Sequence, residues 1–381
     1  MIDLNRIIEL MDEFLQIPSS ISFEKPFLDY LEKKTKNLGY NVIKKDNSYL
    51  VVKPRKERIK SKYLFSVHID RHSVIKNDYG NLEYLAFYLK KKLGLPFLKD
   101  EIKSSEENLF LELKEKDFLF ENFGEFLVFK RDGFRPVKLK RDGLDTYYET
   151  IALRYTKEEC VSYDEDSGEK FEEYKLIRNE IDVENDGVYF FSNKKLGVNQ
   201  KVFMMKSSIY QNENLVSGQI DNVISAAILF YLLEKGDFHE EIIFTTQEEI
   251  GKSFECVIDY ANFLDVFDKK IVILDTSPYS NLANQKSGFL TLRYGDENGG
   301  FDSELVLKLK NILEENEINF DFKPSFLGRT ELGRVSSESK GRVNGCTLQL
   351  PSMNYHTIFE TCSKKSLENY VFVLEKLLER N

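Results

Sequence analysis

Three short apolar runs constrain this chain more than any other feature, because each stops on groups that bind protons or metals. Residues 63–69 (YLFSVHI) deliver His68 and then Asp70. Residues 242–246 (IIFTT) lead through Gln247 into the adjacent acids Glu248 and Glu249, and residues 270–277 (KIVILDTS) carry Asp275. Runs that are apolar on both faces read as buried strands of parallel-sheet type. Two neighbouring carboxylates repel unless a proton or a cation lies between them. A strand ending in such a pair can present one acid to a metal and hold the other beside it as a base.

Helices separate the runs. Residues 222–235 (NVISAAILFYLLEK) form a strongly apolar helix closed by Gly236, and Asp221 sits in the turn before it. A helix follows at about 254–264. Strand, helix, strand, helix, strand is a βαβ series. It predicts an α/β fold, a mixed and mostly parallel sheet flanked by helices. Ligands of such sheets bind outside the carboxyl ends of the strands, where His68, Asp70, Glu248, Glu249 and Asp275 stand.

The flanking sequence fills in the domain. Residues 4–16 and 24–37 have helical periodicity, with Ser22 expected to cap the second helix. Strands are expected at 40–44 and 49–53, at 288–294, and at 347–350, where Pro351 should break the run. Helices are expected at 303–315 and 366–379, and residues 328–333 read as a polar, glycine-flanked loop.

Between about 73 and 205 the texture changes to dense charge, frequent aromatics and short strand-like runs at 109–113, 126–130, 146–154, 187–191 and 201–205. Turns at Asp132-Gly133, Asp142-Gly143 and Asp186-Gly187 suggest hairpins. Residues 84–92 could be a helix, and 162–171 a solvated loop. We therefore expect an inserted β-rich domain, 73–205, within a discontinuous α/β domain of residues 1–72 and 206–381.

The 381 residues are 41% hydrophobic and carry a net charge of −10, which argues against nucleic acid as a partner. No stretch is apolar and long enough to span a bilayer. The N-terminus carries acids at helical spacing and does not read as a signal peptide. Four scattered cysteines without a CxxC pair are simplest as free thiols in a reducing cytosol.

Each candidate has an ordinary reading when taken alone. Asp221 would serve as an N-cap, and His68 with Asp70 would be a polar strand end. Together with His356, they give two imidazoles and three carboxylates at strand or loop ends: His68, Asp221, Glu249, Asp275 and His356. That set suits a pair of zinc, cobalt or manganese ions.

These segments resemble the two-metal aminopeptidases of the glutamyl, deblocking and tetrahedral (TET) type, relatives of the zinc exopeptidases. His68-Ile69-Asp70 matches the family's H-x-D, and Asp221-Asn222 its bridging-aspartate segment. Thr245–Gly251 matches T-x-Q-E-E-x-G, Asp275 the third-strand aspartate, and His356 with Glu360 the H-[ST]-x-x-E. The resemblance implies one ion on His68, Asp221 and Asp275 and another on Asp221, Glu249 and His356. It makes Glu248 the general base, with Asp70 behind His68, and a cis peptide after Asp221. It implies an aminopeptidase acting on short peptides, with the inserted domain making homo-oligomer contacts and limiting access. The chain departs from the family at Asn222, at Arg71-His72-Ser73, before His356, and at Thr330-Glu331. Two other readings stand beside it: an amidase or deacylase of small acyl-amino acids, and a non-catalytic binding or assembly homologue.

Overall fold

The computed structural model describes residues 2–21, 23–55, 61–71, 74–76, 82–84, 119–123, 126–130, 153–163, 170–180, 188–192, 202–205, 208–236, 238–264, 267–278, 288–325, 330–352 and 360–379. The chain forms two compact units, Met1–Arg71 with Ser207–Asn381, and His72–Lys206.

The first unit opens with helices α1 (Leu4–Leu15) and α2 (Lys25–Asn37). Asp3 caps α1, its carboxylate accepting from the Arg6 amide at 3.1 Å. The buried face of α1 (Ile7, Ile8, Leu10, Met11, Phe14 and Leu15) follows the spacing of an amphipathic helix. Ser22, the expected cap of α2, lies outside the described residues; Glu24 holds the N-cap position and Pro26 stands in the first turn. Strands β1 (Asn41–Lys45) and β2 (Tyr49–Lys53) form an antiparallel hairpin, followed by the fully buried β3 (Tyr63–His68).

The second unit is an antiparallel sheet. Its strands are β4 (Val74–Lys76), β5 (Leu82–Tyr84), β6 (Leu119–Phe123), β7 (Phe126–Lys130), β8 (Leu153–Tyr163), β9 (Lys170–Glu180), β10 (Val188–Ser192) and β11 (Val202–Met205). Their order is β10-β9-β8-β11-β4-β5, with β7 also on β8 and β6 on β7. The expected loop at 162–171 is shorter than its polarity implied, because β8 runs through Tyr163 and β9 begins at Lys170. The expected strand at 109–113, the three turn pairs and residues 85–92 of the expected helix lie outside the described residues, and Tyr84 itself ends β5.

The chain returns through β12 (Tyr210–Gln211) and β13 (Leu215–Gly218) to α3 (Val223–Lys235), buried from Val223 to Leu233 and ended by Gly236 in a left-handed conformation. Then come β14 (Glu241–Thr245), a single 3-10 turn at Glu248–Ile250, and α4 (Ser253–Phe263). After these follow β15 (Lys270–Pro278), β16 (Leu290–Arg293), the small pair β17 (Gly295–Asp296) and β18 (Gly299–Gly300), and α5 (Ser303–Glu315). The chain ends with β19 (Phe320–Lys323), α6 (Glu331–Glu338), β20 (Gly345–Ser352), β21 (Glu360–Ser363) and α7 (Lys364–Leu378).

The main sheet is ordered β1-β2-β14-β3-β15-β20-β16-β19. Its centre, β14-β3-β15-β20, is parallel, while β1, β2 and the β20–β16 step are antiparallel. The sheet is mixed and mostly parallel, as the sequence predicted.

Phe14 meets Phe27 and Phe230 edge-on at 5.3 and 5.8 Å, which joins α1, α2 and α3. Each fully buried side chain of this size contributes about 1.5–3 kcal/mol through removal from water.

Two local expectations are corrected. Pro351 does not break its strand: β20 runs to Ser352 and pairs Pro351 with Ser277. Among the described residues β16 pairs with β20 only at Leu348 and Gln349, so Pro351 lies past the stretch flanked on both sides, where proline is tolerated. The supposed loop at 328–333 becomes helix from Glu331 onward, capped by the Thr330 hydroxyl accepting from the Gly333 amide at 3.3 Å.

Candidate metal centre

Strand register brings the candidates together. Thr245 pairs with His68, and Ser66 with Ile273, so His68 and Asp275 share one face of the sheet. Asp275 then pairs with Gln349. Asp221 arrives from another direction, on the turn between β13 and α3. Its amide donates to Glu360 Oε2 at 2.7 Å, and Asn222 Nδ2 donates to the Leu274 carbonyl at 2.7 Å. The Asp221–Asn222 peptide is cis, as expected. Asn222, not Asp221, occupies the N-cap position of α3, and its side chain does not cap the helix.

His68 Nε2 lies 3.4 Å from Asp221 Oδ1 and 3.5 Å from Asp275 Oδ1. Donor atoms of His68, Asp221 and Glu249, all buried, fall within 4.8 Å of one another. Two donors each about 2.1 Å from a tetrahedral ion are separated by about 3.4 Å, so the observed spacing fits a shared divalent cation. His68 Nδ1 faces the Asp70 backbone oxygen at 3.2 Å and its Oδ1 at 3.6 Å. His356 lies outside the described residues.

Glu248 and Glu249 leave the end of β14 on a tight turn. Gln247 adopts a left-handed conformation, with φ 61°. The two oxygens of Asp70 accept the amides of Glu248 and Glu249, both at 3.0 Å. The spacing of Asp70 from His68 indicated an acid beside the imidazole, yet it carried no sign of this second contact.

The electrostatics are those of a crowded acid cluster. Burial pushes the half-buried Glu248 up to about 8, with His68 opposing and Asp275, Asp70 and Asp221 reinforcing. Burial and then Asp221 raise Glu249. Burial raises Asp275, with His68 opposing. Burial disfavours an imidazolium at His68, but Asp221, Asp275 and Asp70 outweigh it and raise its affinity for a proton. Five carboxylates around one imidazole fit a site built for cations.

The same sheet face continues outward as a basic patch. Gln349 pairs with Thr291; Arg293 lies two residues beyond and pairs with Lys323. Both are buried, at 6% and 7% exposure. Arg293 Nε donates to Gln349 Oε1 at 3.0 Å, and Lys323 Nζ donates to the Ser277 hydroxyl, two residues past Asp275. Burial, then Arg293, lowers the Lys323 ammonium to about 7, with Asp275 opposing. Sequence reasoning missed this pair, because only the strand order places it beside the acids.

Glu331 was also missed as a buried group. Its Oε1 accepts from Ser66 Oγ at 2.6 Å and its Oε2 from Thr245 Oγ1 at 3.3 Å, so α6 is tied to the strands that carry the site.

No helix among the described residues is long and apolar enough to cross a membrane. A comparison with curated protein sequences finds no match. The M42 glutamyl aminopeptidase family model matches residues 191–372. Among solved structures, the TET1 peptidase of Pyrococcus horikoshii is 16% identical with a TM-score of 0.59, covering 98% of this chain and 100% of its own. An aminopeptidase from Desulfurococcus kamchatkensis is 14% identical with a TM-score of 0.64, covering 99% and 95%. A TET aminopeptidase from a marine-sediment thaumarchaeon is 13% identical with a TM-score of 0.65, covering 99% and 97%. At these identities the structures establish a shared fold. Over residues 191–372 the chain matches the M42 glutamyl aminopeptidase family, whose members are metal-dependent peptidases.

Proposed function

We propose that the chain is a two-metal aminopeptidase that removes N-terminal residues, acidic ones foremost, from short peptides. The observation that carries this reading is the convergence of His68, Asp221, Glu249 and Asp275 with Glu248 alongside. One ion would be held by His68, Asp221 and Asp275. The other would be held by Asp221, Glu249 and, following the family pattern, His356. Zinc suits this donor set, as do cobalt and manganese. When bound, the ions acidify a coordinated water and polarise a carbonyl.

Glu248 is the proton carrier in this reading. It takes a proton in the first half of the reaction and returns it to the leaving amine. Asp70 holds the turn that carries Glu248, and Glu360 holds the backbone of Asp221.

The acidic preference rests on Arg293 and Lys323. They stand two and three strands from Asp275, roughly 10–15 Å across the sheet at the usual strand spacing. The Lys323 side chain reaches back toward that strand, onto Ser277. An N-terminal Glu or Asp side chain would complement this charge. The family's printed name agrees, since it describes glutamyl aminopeptidases. The His72–Lys206 unit is proposed to mediate homo-oligomer contacts. Related structures are described as a dodecamer and as a tetrahedron or octahedral shell. The cytoplasm is the proposed location.

The test is elemental analysis, with an assay of Glu-, Leu- and Lys-p-nitroanilides after zinc, cobalt or manganese loading. About two ions per chain and chelator-sensitive cleavage led by the Glu substrate are expected. Lys323→Ala should cut kcat/KM for the Glu substrate at least tenfold and leave the Leu substrate within threefold. Metal binding with cleavage of acyl-amino acids alone would replace the aminopeptidase reading with a deacylase.

A further inference from the structure

Where strand β14 ends, three consecutive amides leave the ladder and still need acceptors. Two belong to Glu248 and Glu249 and are taken by Asp70. The third, Gln247 N–H, donates to Glu24 Oε1 at 3.3 Å, across 223 positions of sequence. We infer that Glu24 is a positioning residue for the proposed base: its carboxylate, at the start of α2, pins the Gln247 end of the turn while Asp70 pins the other. The inference rests on the aminopeptidase reading, in which Glu248 moves the proton.

Glu24 is not there for its own helix. It occupies the N-cap position of α2, where a side chain ordinarily accepts a first-turn amide, yet its carboxylate makes no such bond. Pro26 begins the helix without needing an acceptor at that position. The residue is 2% exposed, an unfavourable place for a carboxylate without a specific task.

The turn needs holding. Gln247 sits at φ 61°, a left-handed conformation unfavourable for any residue but glycine. Its carbonyl accepts from the Lys252 amide at 2.8 Å, and the Glu248 carbonyl accepts from Gly251. The Arg334 guanidinium donates to the Gly251 carbonyl. With both amides and carbonyls engaged, the position of Glu248 is over-determined, as a pre-organised base requires.

The two pins share one frame. Arg71 follows Asp70 directly and is 1% exposed. Its side chain donates to Ser19 Oγ at 2.8 Å, to the Ile17 carbonyl at 2.6 Å and to the Leu15 carbonyl at 3.3 Å. Its amide donates to the Ser19 carbonyl at 2.8 Å. The connection leading to Glu24 is thereby fixed to the residue after Asp70. This gives a role to Arg71, one of the points where the chain departs from the family pattern.

The test compares Glu24→Ala, Glu24→Gln and Glu24→Asp in the full, zinc-loaded chain. The readouts are kcat, KM, metal content, and amide hydrogen exchange in peptides spanning 246–251. Glu24→Ala should lower kcat at least tenfold, keep KM within threefold and metal content unchanged, and speed exchange in that segment. Glu24→Gln, whose amide oxygen still accepts, should stay within threefold of wild type. Glu24→Asp, one methylene shorter, should lose more than Glu24→Gln, and that contrast decides the matter if Glu24→Ala does not fold. The inference is overturned if Glu24→Ala exchanges like wild type in 246–251, if its kcat stays within twofold, or if Glu24→Asp matches Glu24→Gln. A wild-type chain that cleaves no peptide substrate would defeat the proposed activity instead, while the exchange comparison would still decide the role of Glu24.

Discussion

Replacing Asp70 with Asn should do more damage than its near-identical shape implies. The carboxylate is fully buried and accepts two amides, from Glu248 and Glu249, one on each oxygen at 3.0 Å. Asn keeps one acceptor oxygen and turns an NH2 group toward the other amide. One buried donor is then left without an acceptor, which costs about 1–3 kcal/mol, and the surviving bond loses its charge assistance, about 1 kcal/mol more. The sum is about 2–4 kcal/mol. If the turn shifts to relieve it, Glu248 moves with the turn. At about 1.4 kcal/mol per factor of ten, kcat/KM should fall roughly 30- to 1,000-fold. If the turn holds, the loss appears as a lower melting midpoint, about 2–4 °C per kcal/mol for a unit of this size. The assay is kcat/KM on Glu-p-nitroanilide after metal reloading, paired with a thermal melt of the same preparation. A variant within threefold of wild type in kcat/KM and within a degree in melting would refute the clamp.

Glu248→Gln should abolish turnover, by at least 10²-fold, while elemental analysis finds wild-type metal content; surviving activity would remove Glu248 from the base role. Glu331→Gln should change how stability depends on pH. Burial raises the Glu331 pKa, with hydroxyl contacts from Ser253 and Ser66 opposing. A carboxyl whose pKa is raised on folding contributes stability that is complete below its unfolded pKa and is lost as pH rises through the folded one. In chelator-treated protein, the melting advantage of Glu331→Gln over wild type should therefore grow between pH 4.5 and pH 8, and parallel curves would contradict this. Gly345→Ala should destabilise by about 1–3 kcal/mol, because an added Cβ would sit 1.7 Å from the Ile271 carbonyl oxygen. An unchanged melting midpoint would show that β20 can shift away from β15.

What the sequence made legible follows from what each signal needs. The strands that carry His68 and Asp275 and the strand that leads to Glu249 are unbroken apolar runs, so their ends, and the polar groups there, stand out by contrast alone. Asp221 was found because a strongly apolar helix follows it. Glu331 was not, because Thr330, Glu331 and Gly333 read as loop residues. The glycine inside that helix has a tertiary cause: a Cβ on Gly333 would lie 2.0 Å from Asp296 Oδ1. The Asp296 carboxylate takes the Thr330 amide and hydroxyl at 2.7 and 2.8 Å. Arg293 and Lys323 were hidden for a related reason. They adjoin Asp275 only through β20, which is inserted between strands that are consecutive in the chain. The carboxylate of Glu24 meets its partner 223 positions away, beyond the reach of any local pattern.

The burial of α3 has a thermodynamic consequence. Asp221 is fixed at the head of a helix whose residues 223–233 are all buried; its own amide is tied to β21 and the side chain of Asn222 to β15. Nothing that grips Asp221 can be gained or lost without the centre of the unit registering it. Cation occupancy and global unfolding are then linked by mass action. At a hundredfold excess over its dissociation constant, an ion adds about 2.7 kcal/mol to the stability of everything that unfolds with it. Metal concentration should thus set the melting temperature of the Met1–Arg71 and Ser207–Asn381 unit as a whole. Scarcity of the ion would be felt by the cell as a shortage of folded enzyme as well as a loss of catalysis.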